Sequence, residues 1–221
     1  MLRLFKVIPL LMIGLLAACS DGESYDSESE TSAATEVEMP ASHNPGLTTD
    51  LEATRDALIM TVTDASADQW TFHESEDRWN MAEVIEHIII AENMFYSMLT
   101  EQVFAEEPVS VTEDDMSEAD AGIAMFIRDR STTFEAPEPA QPKGVYATPA
   151  EAIEAFMDAR NRTLEFVAST DLDLRAYSAS IPGSDAPPMD GYQWFVFLSG
   201  HSARHTAQIV QITDDAGYPT D

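Results

Sequence analysis

Apolar residues recur at helical intervals in four separate stretches of this chain. Over residues 47–63, Leu47, Leu51, Leu58 and Val62 fall on one face, and Thr48 or Thr49 is available as a cap. A second stretch, 81–102, opens on a clearer signal. Asn80 is a good N-cap, Glu83 stands where a capping box needs it, and Trp79 and Val84 occupy the hydrophobic-staple positions. The third begins at Thr148-Pro149-Ala150-Glu151, with Thr as N-cap, Pro at the first helical position and Glu closing the box; Ile153, Phe156, Met157, Leu164 and Val167 form its stripe. The fourth starts at Asp190, with Gln193 three residues on and Met189 and Trp194 as staple, and runs to about residue 214, before Gly217 and Pro219. Residues 103–147 are too long for a hairpin loop. Within them 119–130 could form a short helix with Ile123, Phe126 and Ile127 on one face. Strand signals reduce to 178–181. The pattern predicts an all-α fold: a four-helix bundle with a long crossover between helices 2 and 3, which lets those two lie parallel.

The first 46 residues do not belong to that pattern. Arg3 and Lys6 precede an apolar run from Val7 to Ala18, too short for a bilayer, which needs roughly 20 residues, and suited to a secretory signal. Its end, Leu16-Ala17-Ala18-Cys19, resembles the bacterial lipobox, in which the cysteine is lipidated and becomes the first residue of the mature chain. This makes 1–18 a lipoprotein signal peptide and 19–46 a lipidated Cys19 followed by an acidic tether. Residues 20–46 hold seven acidic residues and no basic ones, with too little apolar content to offset ordering entropy. The bundle domain then spans 47–221. The expected location is the cell envelope, with the lipid on Cys19 as the membrane contact; Ser20 suits the outer membrane, facing the periplasm, in a Gram-negative cell.

Composition narrows the chemistry. The chain has 221 residues, 40 acidic against 11 basic, and a net charge of −29, which disfavours nucleic acid because a duplex demands clustered cations. One cysteine excludes an internal disulfide, a Cys-x-x-Cys pair and a thiolate zinc cage, so any metal must be held by nitrogen and oxygen. Neither Glu113-Asp114-Asp115 nor Asp171-Leu172-Asp173 has the spacing of a calcium loop.

Three histidines remain. On the fourth helix Trp194, Leu198, His201, His205, Gln208 and Ile212 form a core-facing seam, and residues four apart have Cβ atoms about 5–6 Å apart. His87 shares a face of the second helix with Val84, Ala91, Met94 and Met98 and points inward as well. Three neutral imidazoles from two helices could hold one divalent ion and leave positions open for water or substrate. The alternative is that each is a core histidine with its own hydrogen-bond partner. His201-Ser202-Ala203-Arg204-His205 has the zincin spacing but lacks the Glu that would serve as general base. Arg160 lies on the apolar stripe of the third helix, where a charge needs a partner. A salt bridge to a helix carboxylate is the first reading and orientation of a substrate anion the second. Glu83 is explained by its cap, His43 as a tether residue, His73 as an exposed loop residue, and Met94, Met98 and Met157 as core filler.

The segment from Trp79 to His87 (WNMAEVIEH), Pro149 to Phe156 (PAEAIEAF) with Arg160, and Gly200 to Ile209 (GHSARHTAQI) together resemble the DinB/YfiT-like superfamily of metalloenzyme-like proteins, in order and separation. The resemblance spans most of 47–221. It implies a four-helix bundle with a long crossover and a divalent ion, zinc or nickel first and iron or manganese after, at His87, His201 and His205. It also implies a small-molecule enzyme resembling thiol-dependent transferases and isomerases. Cytoplasmic thiols are scarce outside the cytoplasm and no free Cys replaces them, so hydrolysis by activated water is at least as well supported. A non-catalytic metal- or ligand-binding lipoprotein and a structural domain with a vestigial site are the competing readings. The substrate, the catalytic residues and the oligomeric state, with which a homodimer is compatible, are not legible.

Overall fold

The computed structural model describes residues 44–109, 116–181 and 186–220, all within the compact unit Met39–Asp221. The predicted signal peptide, the lipidation site at Cys19 and the tether up to residue 43 lie outside the described residues. Among the described residues no helix is long and apolar enough to cross a membrane. The helices are α1 (Pro45–Val62), α2 (Ala67–Trp70), α3 (Met81–Glu101), α4 (Ser117–Arg128), α5 (Pro149–Ser169) and α6 (Gly191–Thr213). Strand β1 (Ser178–Ala179) pairs antiparallel with β2 (Met189–Asp190) just before α6.

Helix starts follow the local chemistry closely, with two differences. Asn80 and Glu83 form a reciprocal capping box on α3, as do Asp190 and Gln193 on α6. On α5, Thr148 caps Glu151 N, but the Glu151 carboxylate accepts from Ala147 N at 2.9 Å, one residue earlier than a capping box requires. On α1 neither Thr48 nor Thr49 is the cap. The helix starts at Pro45 behind Asn44, and the two hydroxyls donate back to the Asn44 and Pro45 carbonyls at 3.2 and 2.9 Å. Proline favours the first helical position because its missing N–H would have no partner there.

Residue pairings give the helix directions. Glu92 meets Arg160, and Tyr96 meets Phe166 farther along both chains, so α3 and α5 run parallel. His87 faces His205 while Phe95 faces Phe197, so α6 runs against α3. Asn44 reaches Val167 and Thr54 reaches Arg160, so α1 runs against α5. The order is up, down, down, up, a four-helix bundle whose parallel pair is joined by the crossover that carries α4. α4 packs on α6 at Gly200, where an added Cβ would stand 2.2 Å from Ile127 Cγ2.

The interior has two apolar layers. One contains Leu47, Leu51, Leu99, Leu164, Val167, Trp194, Phe195 and Leu198. The other contains Leu58, Val62, Ile85, Ile88, Phe156, Ile209 and Ile212. Between them, at the middle of each helix, the stripe becomes polar: Thr54, Glu92, Arg160, Thr163, Ser199 and Ser202 are all buried. Met98 packs on the first layer, but Met94 and Met157 are exposed and are not core filler. Both are flexible, unbranched side chains that tolerate the rim of a helix stripe.

Candidate metal centre

α3 contributes His87 and α6 contributes His201 and His205, one turn apart. Burial leaves His87 and His201 largely inaccessible and His205 partly exposed. All three predicted residues come together: each offers a ligand atom, and these atoms lie within 4.8 Å of one another. Ring centroids are 5.1 Å apart for His87 and His201, 4.7 Å for His87 and His205, and 4.5 Å for His201 and His205. Among the described residues no carboxylate joins this group.

Two of the rings are oriented by hydrogen-bond partners, one of which the sequence did not reveal. His87 Nδ1 lies 2.7 Å from the Ala140 carbonyl, which can only accept, so the proton is on Nδ1 and the Nε2 lone pair is free. His205 Nδ1 donates to Gln208 Oε1 at 2.9 Å, which likewise frees its Nε2. Gln208 was visible as a seam residue, but a backbone carbonyl 53 positions from its partner carries no sequence signal. The loop that supplies it is held by another residue that pattern reading missed. Buried Glu86 accepts the N–H groups of Lys143, Gly144 and Val145 at 2.7, 2.8 and 3.1 Å. Gly144, at φ 73°, takes the left-handed turn that aims these donors together. Replacing Glu86 with Gln puts an NH₂ among three donors. This variant is expected to lose about 1–3 kcal/mol in a urea titration and to bind metal more weakly as the Ala140 carbonyl loosens. An unchanged urea midpoint would contradict the assignment.

The fit of these residues to a cation rests on two observations. His201 Nδ1 is buried with no hydrogen-bond partner among the described residues. His87 Nε2 and His201 Nε2 stand 3.3 Å apart. With the His87 proton on Nδ1, either two lone pairs face each other or His201 donates to His87 and leaves its own Nδ1 lone pair stranded. A shared divalent ion removes the lone-pair conflict, and the neutral all-nitrogen set suits it.

Burial also prepares the electronic state. Desolvation lowers the pKa of His87 despite the opposing bond to Ala140. It lowers that of His201 well below the usual value, with His205, His87, Arg204 and Arg160 acting in the same direction. His205 falls to about 3, from burial first and then His87, with Gln208 opposing and Arg204 and Arg130 adding. Neutral imidazoles are the ligating form. Below pH 6.5 the unfolded chain binds protons that the folded metal-free triad resists, and His205 resists them down to about pH 3. Stability of the metal-free protein is therefore full above about pH 6.5 and falls as pH drops, with His205 contributing up to about 1.4 kcal/mol per pH unit in that window. Urea midpoints at pH 7.5 and 5.5 measure this, and His205→Ala is expected to reduce the slope. Equal slopes would contradict the burial argument.

Trp79 packs on His87 at 5.1 Å, and Phe95 and Phe197 pack near His201 at 6.2 and 6.3 Å, giving the centre an aromatic wall. Glu83 serves its cap, accepting from Asn80 N at 2.9 Å through Oε2, which also lies 3.8 Å from His73 Nδ1. His73 is an exposed loop residue, bonded to the Arg78 carbonyl at 2.7 Å.

Arg160 does not serve the centre as an anion holder. Nε and Nη2 meet the two Glu92 oxygens at 2.9 and 2.8 Å, Nη1 meets Leu51 O and Thr54 Oγ1 at 2.9 Å each, and Nη2 meets Ser202 Oγ at 2.7 Å. All five of its donors are engaged. The first reading, a structural ion pair, holds, and the substrate-orienting reading is overturned. The pair ties Glu92, five residues after His87, to Ser202, next to His201, and so fixes the two helices that carry the histidines against each other.

Comparison with known proteins agrees with this architecture. The sequence model of the DinB superfamily matches residues 50–209. Among solved structures, the chain is similar to YfiT from Bacillus subtilis, at a TM-score of 0.50 and 15% identity over 90% of this chain and 96% of that one. YfiT is described as a probable metal-dependent hydrolase with an unusual four-helix bundle topology. At this identity the likeness speaks to the fold alone. Comparison with curated proteins found no match.

Proposed function

This chain belongs to the DinB superfamily, and on that premise we propose that it is a divalent-metal hydrolase of a small molecule, with His87, His201 and His205 as the protein ligands. The observation that carries this reading is the convergence of three ligand atoms within 4.8 Å, with no fourth protein ligand among the described residues. Structural zinc sites are closed by four protein ligands, whereas catalytic sites keep a position for water or substrate. The description of YfiT supports the same class of reaction. Zinc or nickel suits an all-imidazole set, with iron next; manganese prefers oxygen ligands, which this set lacks. A divalent cation supplies Lewis acidity, polarising a substrate oxygen and lowering the pKa of water towards neutrality.

The residues of the chain perform the remaining tasks. Ala140 O and Gln208 Oε1 hold the Nδ1 protons of His87 and His205 and so aim both Nε2 lone pairs. Trp79, Phe95 and Phe197 exclude water from the rear of the centre and lower the local dielectric. Hydrolysis is favoured over thiol transfer by the proposed address. The lipobox-like Leu16-Ala17-Ala18-Cys19 would anchor the protein in the cell envelope and occupy its single thiol.

The test is the full chain purified without chelator. We expect about one divalent ion per chain by elemental analysis, with ester or amide hydrolysis lost on chelation and restored by zinc or nickel. A protein that carries no metal and cannot be loaded overturns the reading.

A further inference from the structure

With Arg160 consumed in the core, two other arginines lie close enough to partly exposed His205 to disfavour its charge. Arg204 directly precedes His205, and Arg130 follows α4 and lies against α6. Arg130 donates from Nη1 to Arg204 O at 3.1 Å and from Nη2 to Gln211 Oε1 at 2.5 Å. Arg204 donates from Nη1 to the carbonyls of Ile127 and Asp129 and from Nη2 to Thr132 O at 2.6 Å. Every one of these acceptors is neutral. Among the described residues neither arginine has a carboxylate at ion-pair distance, in a chain with 40 acidic residues against 11 basic.

The carboxylates nearby have other hydrogen-bond partners. Asp129 accepts from Ser131 N and Ser131 Oγ, both at 2.8 Å, and Arg204 acts on its charge only from beyond ion-pair distance, as the weakest of the influences on it. Glu74 accepts from Arg78 Nε at 3.3 Å and from Gln211 Nε2 at 3.1 Å. Partial burial, then the cations Arg204 and Arg78, disfavour the charge on Arg130, with Glu74 opposing. Positive charge thus accumulates beside the triad while the rest of the molecule is acidic, and a bound divalent ion would add to it. Arg204 lies over the Phe134 ring at 5.4 Å, and Phe134 meets Phe126 at 6.2 Å, both rings 59% exposed.

We propose that Arg130 and Arg204 bind an oxyanion of the substrate, carboxylate or phosphate-type, while its apolar body rests on Phe126 and Phe134. The proposal deepens the hydrolase reading and rests on it for the position of the reacting bond. The guanidinium is the natural group for this task, because its planar fork matches an oxyanion and charge-assisted bonds are about twice as strong as neutral ones.

The test uses three probes on the full chain: 3-phenylpropionate, 2-phenylethylphosphonate and the neutral 3-phenylpropionamide, titrated by ligand-observed NMR. In metal-free protein, where no cation can hold the anion, at least one anion is expected to bind about tenfold tighter than the amide; the tighter anion names the class. R130Q/R204Q keeps donors for the loop carbonyls and is expected to erase that preference while retaining metal uptake. Should the double variant fail to fold, R130Q alone is expected to reduce the preference severalfold. Equal affinities for anion and amide in metal-free protein, no detectable binding of any probe, or an undiminished preference in folded R130Q/R204Q overturns the proposal. Failure of metal loading with the anion preference intact would instead count against the hydrolase reading alone.

Discussion

His201→Ala and His205→Ala are each expected to abolish metal retention while leaving the bundle folded. Loss of a partner behind a ligating imidazole costs 10–100-fold in affinity, so loss of the imidazole itself should cost at least about a hundredfold. Gln208→Ala, which only frees the Nδ1 proton of His205, is expected to show the smaller effect. Metal at a thousand times its Kd should raise the stability of the wild type by about 4 kcal/mol and that of the alanine variants far less. Metal-free His201→Ala should unfold near the wild-type midpoint, because the cavity it opens is offset by removing a buried nitrogen without a partner, worth about 1–3 kcal/mol. Elemental analysis and urea titration read both effects. Stoichiometric metal in His201→Ala would show that the rings do not share an ion.

Arg160→Met carries the largest expected loss of stability. It removes five hydrogen bonds and leaves the Glu92 carboxylate, 1% exposed, without its cation between two apolar layers. Breaking one side of a buried pair costs about 3–5 kcal/mol, a large part of the stability of an ordinary domain. The paired change R160M/E92L removes both charges and should recover much of that loss, since a buried ion pair is often no better than an apolar one. Both variants can be ranked by urea midpoint. A loss under about 1 kcal/mol in Arg160→Met would mean that the network does not hold the helices. The double variant has a further use: if it is stable yet takes up metal weakly, the polar layer serves to set the register of α3 against α6.

The capping boxes on α3 and α6 and the seam carrying His201 and His205 were legible because their partners lie within four residues, where helix geometry alone fixes the distances. The crossover was legible as a length and as one short helix, expected over 119–130 and found as α4 (Ser117–Arg128). Within it, nothing in the sequence marks Ala140, because every residue carries a carbonyl and only the folded path brings this one to His87. Glu86 looked like any helix carboxylate until the loop at 143–145 closed over it. Thr48 and Thr49 misled because a hydroxyl one turn inside a helix has a competing use, the carbonyl four residues back.

Local spacing in the sequence therefore determined the four long helices, the starts of the last three and the inward direction of three histidines, since each follows from the geometry of a single helix. Tertiary structure alone decided which nitrogen of His87 is free, that Arg160 belongs to the core, and that Arg130 and Arg204 meet near His205. Those outcomes depend on groups 40 to 120 residues apart, whose meeting is governed by packing between helices that no periodicity along one chain encodes.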